Sequence, residues 1–241
     1  MSSNKHHEFT KLAMNQLADS LSDFTIQQAN KFVNVRGEFP LIIKLDYVGK
    51  WRLKGETRLY VVAGVEIAAD YRYFNPARTW VNAKQKFYIT NFMCDRACLL
   101  PNATQWYILE KGADGQIDVE MLKYELRHFF LPYLNQLTSL EGMIGILRRS
   151  KLGPNELINP SLYGRKHIYD WFTVIYLLLE LRQTTKAEQC IDELISLIHD
   201  NNLPDHELQN VVVILNRLQL DFGTSKIYRH SAGTHTIEVI E

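Results

Sequence analysis

Long hydrophobic runs are missing from this chain. The longest, Val174–Leu179, has six residues, far fewer than the roughly 18–20 of a membrane-crossing helix. Cysteine is scarce and odd in number, with Cys94, Cys98 and Cys190 alone, which offers no disulfide framework and suits a reducing compartment. No charge of one sign prevails: 27 basic residues face 27 acidic ones, so nothing global draws the chain to nucleic acid or to a membrane surface. Met1–Lys5 leads into a charged amphipathic stretch without an apolar signal core. Together these absences predict a cytoplasmic protein with no membrane partner.

The signatures of common chemistries are missing too. There is no Gly-x-Ser-x-Gly elbow, and Gly49-Lys50 is followed by Trp51 where a phosphate loop needs Ser or Thr. A metal-dependent nuclease of the carboxylate–lysine type needs an acid two residues before a lysine, and no Asp or Glu has one. Cys94 and Cys98 are four apart with no matching Cys/His pair nearby, so a closed four-ligand zinc site is not expected. His206-Glu207 lacks the second histidine of a zinc-protease helix. The sequence therefore predicts no cofactor, no metal and no catalytic residues.

What is present is an ordinary globular composition, 46% hydrophobic and 22% charged over 241 residues, enough for one large domain or two small ones. Its pattern changes once, near Ile117. From Leu41 to Leu109 apolar residues tend to alternate, with Leu41, Ile43, Leu45 and Tyr47 on one face. From Val119 to Leu220 they recur at three- and four-residue steps. An amphipathic first helix is expected over 8–22, from the helical spacing of Phe9, Leu12, Ala13, Leu17, Leu21 and Phe24. The fold class is thus α+β, an antiparallel sheet of about five strands with an N-terminal helix, followed by a C-terminal helical block. Helices after Ile117 should cover one sheet face, and Lys50, Arg52 and Lys54 should lie on the other.

The helical half carries local punctuation. Val119, Leu122, Leu126, Phe129 and Phe130 make a stripe that Pro132 should close. Thr138–Glu141 and Thr185–Glu188 have capping-box form. Tyr163–Arg182 is apolar except for a narrow stripe at Asp170, Thr173 and Glu180. Trp171, Ala187 and Pro204 within and just after 168–203 loosely resemble one tetratricopeptide unit. The pattern covers a single hairpin and does not repeat, so a generic αα-hairpin is expected. The tail, Thr234–Ile240, alternates and should either join the sheet or fray. Gly153–Pro160 reads as a linker, which leaves two arrangements open. Residues 1–151 (helix, sheet and covering helices) and 161–241 (helical segment and tail) form two domains or pack as one.

The two halves differ in charge. Residues 31–111 hold 13 bases and 7 acids, a net of +6, whereas the chain from Tyr124 onward holds 11 bases and 14 acids, a net of −3. Within the basic half, Tyr71, Arg72, Tyr73, Arg78 and Trp80, with Lys84 and Lys86, interleave aromatics and cations. That composition fits the hot spots of protein interfaces, and it also fits base stacking with phosphate tracking. The preferred reading is a non-enzymatic protein that binds a protein partner, with an acidic surface as one option, in the manner of immunity or antitoxin proteins. A nucleic-acid binder using 71–88 is the first alternative. The second is an enzyme of unrecognised class that uses His167, Asp170, Glu66 or Asp70.

Overall fold

The computed structural model describes residues 13–28, 30–47, 57–70, 86–100, 103–104, 106–109, 119–149, 166–201, 203–223, 226–231 and 233–240; at 47, 57–58, 68–70, 86–91, 106, 108–109, 119 and 166–167 the description is of backbone alone. The chain divides into two compact units, one within 1–66 and 92–142, the other within 67–91 and 143–241. The expected linker at 153–160 lies outside the described residues, as do Lys50, Arg52 and Lys54.

The first unit begins with helix α1 (13–18), which tightens into a 3-10 turn at Asp19–Leu21. Ala13, Leu17 and Leu21 are buried as the spacing predicts, Met14 is buried with them, and Phe24 is half-buried. Six strands follow in one sheet: β1 (Thr25–Gln28), β2 (Lys31–Asn34), β3 (Leu41–Tyr47), β4 (Thr57–Asp70), β5 (Lys86–Asp95) and β6 (Trp106–Leu109), of which 67–70 and 86–91 are counted with the second unit. A short helix, α2 (Arg96–Leu99), separates the last two. The order is β1-β2-β3-β4-β5, with β6 also on β4, and the pairings of β1 through β4 and of β6 are antiparallel. Leu59 and Tyr60 pair with β3 on one edge and β6 on the other. The β1–β2 hairpin was not signalled by the sequence, because Thr25–Gln28 is exposed throughout and carries no apolar alternation.

One buried sheet face was expected, and the centre is buried on both. Leu41, Ile42 and Ile43 on β3 and Leu59 through Ala63 on β4 are all buried. A strand covered on two faces reads as a continuous apolar run rather than an alternation. Lys31 is also buried, facing Lys44 across the β2–β3 register. Each lysine has its own carboxylate: Lys31 pairs with Glu66 at 2.7 Å, and Lys44 with Asp46 at 2.9 Å.

Helix α3 (Val119–Glu125) continues through a π turn at Leu126–Phe130 into α4 (Leu131–Gln136). Pro132 therefore does not close the helix. The wider turn lets the Leu131 N–H reach back five residues to the Leu126 carbonyl, and Pro132 sits at the start of the renewed helix, where no N–H is needed. Leu122, Leu126, Phe130 and Leu134 are buried, while Phe129 is left half-buried by the inserted residue.

Helix α5 (Leu140–Arg149) is capped by Ser139, not Thr138: Ser139 Oγ accepts from the Gly142 N–H at 3.2 Å, and Thr138 instead donates to the Asn135 carbonyl. Glu38, from the β2–β3 loop, accepts the Leu140 N–H at 2.9 Å. The orphan donors of the first turn thus have partners from two parts of the chain.

In the second unit, α6 (Lys166–Glu180) and α7 (Thr184–Asp200) form the αα-hairpin, and α8 (Asp205–Phe222) follows. Gln183 precedes α7 without a side-chain cap, so Thr185–Glu188 is not a capping box. Of the narrow polar stripe of α6, Asp170 and Thr173 are buried and Glu180 is exposed; Thr173 Oγ1 donates to the Tyr169 carbonyl. Helical spacing in the sequence puts Ala187, Ile191, Leu194, Ile195 and Ile198 of α7 and Leu208, Val211, Val212, Leu215 and Leu218 of α8 inward; all are buried but Val212, which is half-buried. Gly223, at φ +71°, ends α8 in the left-handed conformation that favours glycine. The tail neither joins the large sheet nor frays: β7 (Ile227–Ser231) and β8 (Thr236–Ile240) make their own antiparallel hairpin.

Candidate functional site

Tyr71, Arg72, Tyr73, Arg78, Trp80 and Lys84 lie outside the described residues, and Lys86 is described only as the first backbone position of β5. The same holds for the side chains of His167 and Asp70. Of the other acids weighed for catalysis, Glu66 is in its ion pair with Lys31 and Asp170 is buried in α6. Cys94 is buried and Cys98 exposed, with the Cys98 N–H bonded to Asp95 Oδ1 at the start of α2. None of the three cysteines is in a disulfide. Among the described residues no three His, Cys, Asp or Glu side chains stand where they could hold a metal ion.

The densest polar cluster of the first unit joins β5, α2, β6 and α3. Glu125, 6% exposed, receives two bonds from Arg96 Nε (3.1 and 2.9 Å) and one from Arg96 Nη2 (2.8 Å). The Tyr107 hydroxyl, also buried, donates to the same carboxylate, and the guanidinium lies 4.9 Å from the Tyr107 ring centroid. Burial first, then the Glu125 hydrogen bond, pushes the Tyr107 hydroxyl pKa well above the usual phenol range. The Arg96 guanidinium is held further toward its charged form by the bond to Glu125. Next to it, the Tyr60 hydroxyl donates to Asp95 Oδ2 at 3.0 Å. Each group here is hydrogen-bonded within the cluster, which fixes α3 to the sheet.

On the other side of the same helix the side chains point to solvent. Tyr124 is 56% exposed and stacks on His128, with ring centroids 4.1 Å apart. The His128 Nδ1 lies 2.8 Å from the Tyr124 carbonyl. A carbonyl can only accept, so Nδ1 carries the proton and Nε2 is the acceptor of the neutral ring. Phe129 meets Tyr124 edge-on at 6.3 Å. Met121 and Arg127 are also exposed, and Arg127 Nη2 donates to Ser20 Oγ at 3.3 Å. π turns recur at functional sites because the extra residue turns side chains out of the regular stripe.

This patch was not anticipated. Its signal was available as the i, i+4 pair Tyr124 and His128 opposite the Leu122–Leu126 stripe, but the π turn that turns Phe129 partly outward has no signature in hydrophobic spacing. Comparison with protein-family models, curated proteins and solved structures finds no match to this chain.

Proposed function

We propose that this chain is a non-enzymatic interaction protein, immunity- or antitoxin-like in mode, that acts in the cytoplasm by binding a protein partner. The observation that carries this reading is the solvent-facing Tyr124–His128 stack on a helix anchored by Arg96, Glu125 and Tyr107. Exposed aromatics beside cations are the commonest hot-spot chemistry of protein interfaces. Rings already ordered by stacking and by the Nδ1 bond lose little freedom on binding. Tyr71, Arg72, Tyr73, Arg78, Trp80, Lys84 and Lys86 supply a second contact surface in this reading, suited to an acidic partner. Further support comes from the carboxylates: Glu66, Asp95 and Glu125 are engaged in internal bonds. No helix among the described residues is long and apolar enough to cross a membrane.

The test is capture with the tagged chain, followed by identification of the bound protein. Arg72→Ala, Arg78→Ala and Trp80→Ala together, or Tyr124→Ala with His128→Ala, should abolish capture while circular dichroism is unchanged. Full capture by both variants would overturn the reading. The nucleic-acid alternative predicts binding that falls steeply with salt; labelled strands that do not shift at low salt would remove it.

A further inference from the structure

The C-terminal hairpin is tied to the helices of its unit by side chains. Asn216 on α8 donates to the Tyr228 carbonyl at 2.8 Å and accepts from the Tyr228 N–H at 2.7 Å. Asp205 Oδ1, in the first turn of α8, faces His230 Nε2 at 3.1 Å and His235 Nδ1 at 2.7 Å. Glu188 on α7 lies 3.9 Å from Lys226. Burial, reinforced by the negative charges of Asp192 and Glu188, pushes the Tyr228 hydroxyl pKa up to about 12. One further tie differs in kind: the Ile237 N–H donates to Nε2 of His199, in the last turn of α7, at 2.9 Å.

Ile237 stands opposite His230 in the β7–β8 register. Because its N–H goes to α7, that amide lies on the outward edge of β8 and not in the ladder with β7. Open strand edges invite pairing with other chains, and folded proteins cover them. His199 engages the Ile237 amide of this one. A ring nitrogen that accepts an N–H bears no proton, so His199 here is neutral with its proton on Nδ1. Protonation at Nε2 would set one N–H against another and remove the acceptor.

We propose that His199 is a proton-controlled latch on the outward edge of β8. Neutral, it holds the Ile237 amide; protonated, it lets the amide go. The neighbouring ties respond differently to the same proton. His230 and His235 face the Asp205 carboxylate, which is an acceptor with or without a second ring proton. The Asn216 bonds do not titrate. Of the other charges on the packed elements, Asp192 and Asp200 share α7 with His199, and Arg229 and Glu238 lie on the hairpin. The bond from the Ile237 N–H is to His199 and to none of these groups. Acidification therefore frees the middle of the strand edge while the hairpin stays attached through Tyr228 and through its turn.

Two measurements on the full chain test this. Imidazole nitrogen shifts at about pH 8 should show His199 protonated on Nδ1 with Nε2 as acceptor. Between about pH 8 and about pH 5, the span over which histidine changes charge, Ile237 amide protection, corrected for intrinsic exchange, should fall about two- to tenfold. His199→Gln places a non-titrating oxygen acceptor at the same reach and should keep protection constant over that span. A proton on Nε2 at the upper pH overturns the proposal, as does unchanged wild-type protection or an equal fall in His199→Gln. The ring shifts need no variant, so they decide the matter even where His199→Gln does not fold.

Discussion

Glu125 and Arg96 are joined by three hydrogen bonds, from Nε to both carboxylate oxygens and from Nη2 to Oε1, and the Tyr107 hydroxyl closes the set. Removing the charge while keeping the shape isolates what the pair contributes. Glu125→Gln leaves a mostly buried guanidinium without its counter-charge, which costs several kcal/mol in a fully dry site. Arg96 keeps 17% of its side chain exposed, so water recovers part of that. The expected loss is about 2 kcal/mol, read as a lower urea midpoint at unchanged slope. A loss under about 0.5 kcal/mol, the range of ordinary surface changes, would mean the cluster does not anchor α3.

Gly142 follows from the way α4 turns into α5. A Cβ built there would lie 1.9 Å from the Gln136 carbonyl oxygen, a backbone atom that cannot rotate away. Gly142→Ala must displace the turn that also positions Ser139 and receives Glu38. We expect destabilisation of at least about 2 kcal/mol by thermal or urea unfolding. Gly145→Ala is the control: its nearest neighbour is the flexible end of Arg149 at 3.6 Å, and in mid-helix it should be neutral or slightly stabilising.

How much of this was legible beforehand depends on the range of the forces involved. The inward faces of α7 and α8 were, since 3.6-residue spacing is a local property of amphipathic helices. The sheet-then-helices order was legible for the same reason. Caps were misassigned because Thr138-Ser139 offers two adjacent hydroxyls, and the choice was made by Glu38, distant in sequence. Pro132 was misread because the π turn removes the need for its N–H. The β7–β8 hairpin was half legible: Thr234–Ile240 alternates, but the partner strand contains Arg229, His230 and Ser231, and the hairpin is held by Asn216, Asp205 and His199 from elsewhere. The sites chosen from sequence, Tyr71 through Lys86, lie where side chains are not described.

Tyr228 gives the unit containing the hairpin an alkaline limit. Its hydroxyl pKa is raised from the ordinary 10.0 to about 12 by burial and by Asp192 and Glu188. With the folded value above the unfolded one, the folded state binds more protons between the two. Its contribution is then complete below about pH 10 and is lost as pH climbs toward 12. Unfolding followed against pH should show stability falling above about pH 10, with tyrosinate absorbance from this ring emerging only as the hairpin detaches. Tyr228→Phe cannot ionise and should flatten part of that fall. An unchanged alkaline profile in the variant would show that other groups set it, Tyr107 being next in line because its hydroxyl is raised by the same physics.

Tyr124 and His128 separate an interface role from a structural one. Both are exposed, and their stack with the Nδ1 bond orders only the surface of α3 and the π turn. Truncating them to alanine should therefore shift stability by no more than about 0.5 kcal/mol. At a partner-binding hot spot the same change costs at least about 2 kcal/mol, roughly a thirtyfold weaker dissociation constant. The measurement is titration calorimetry with the captured partner, wild type against the double variant, with unfolding midpoints alongside. His128→Gln adds a finer reading, because its amide can still donate to the Tyr124 carbonyl but cannot become cationic. Retained affinity in His128→Gln with loss in the double variant would assign the contact to the ordered Tyr124 ring. Loss in both would assign it to the imidazole itself and to an acidic partner, and unaltered affinity in both would move the interface away from α3.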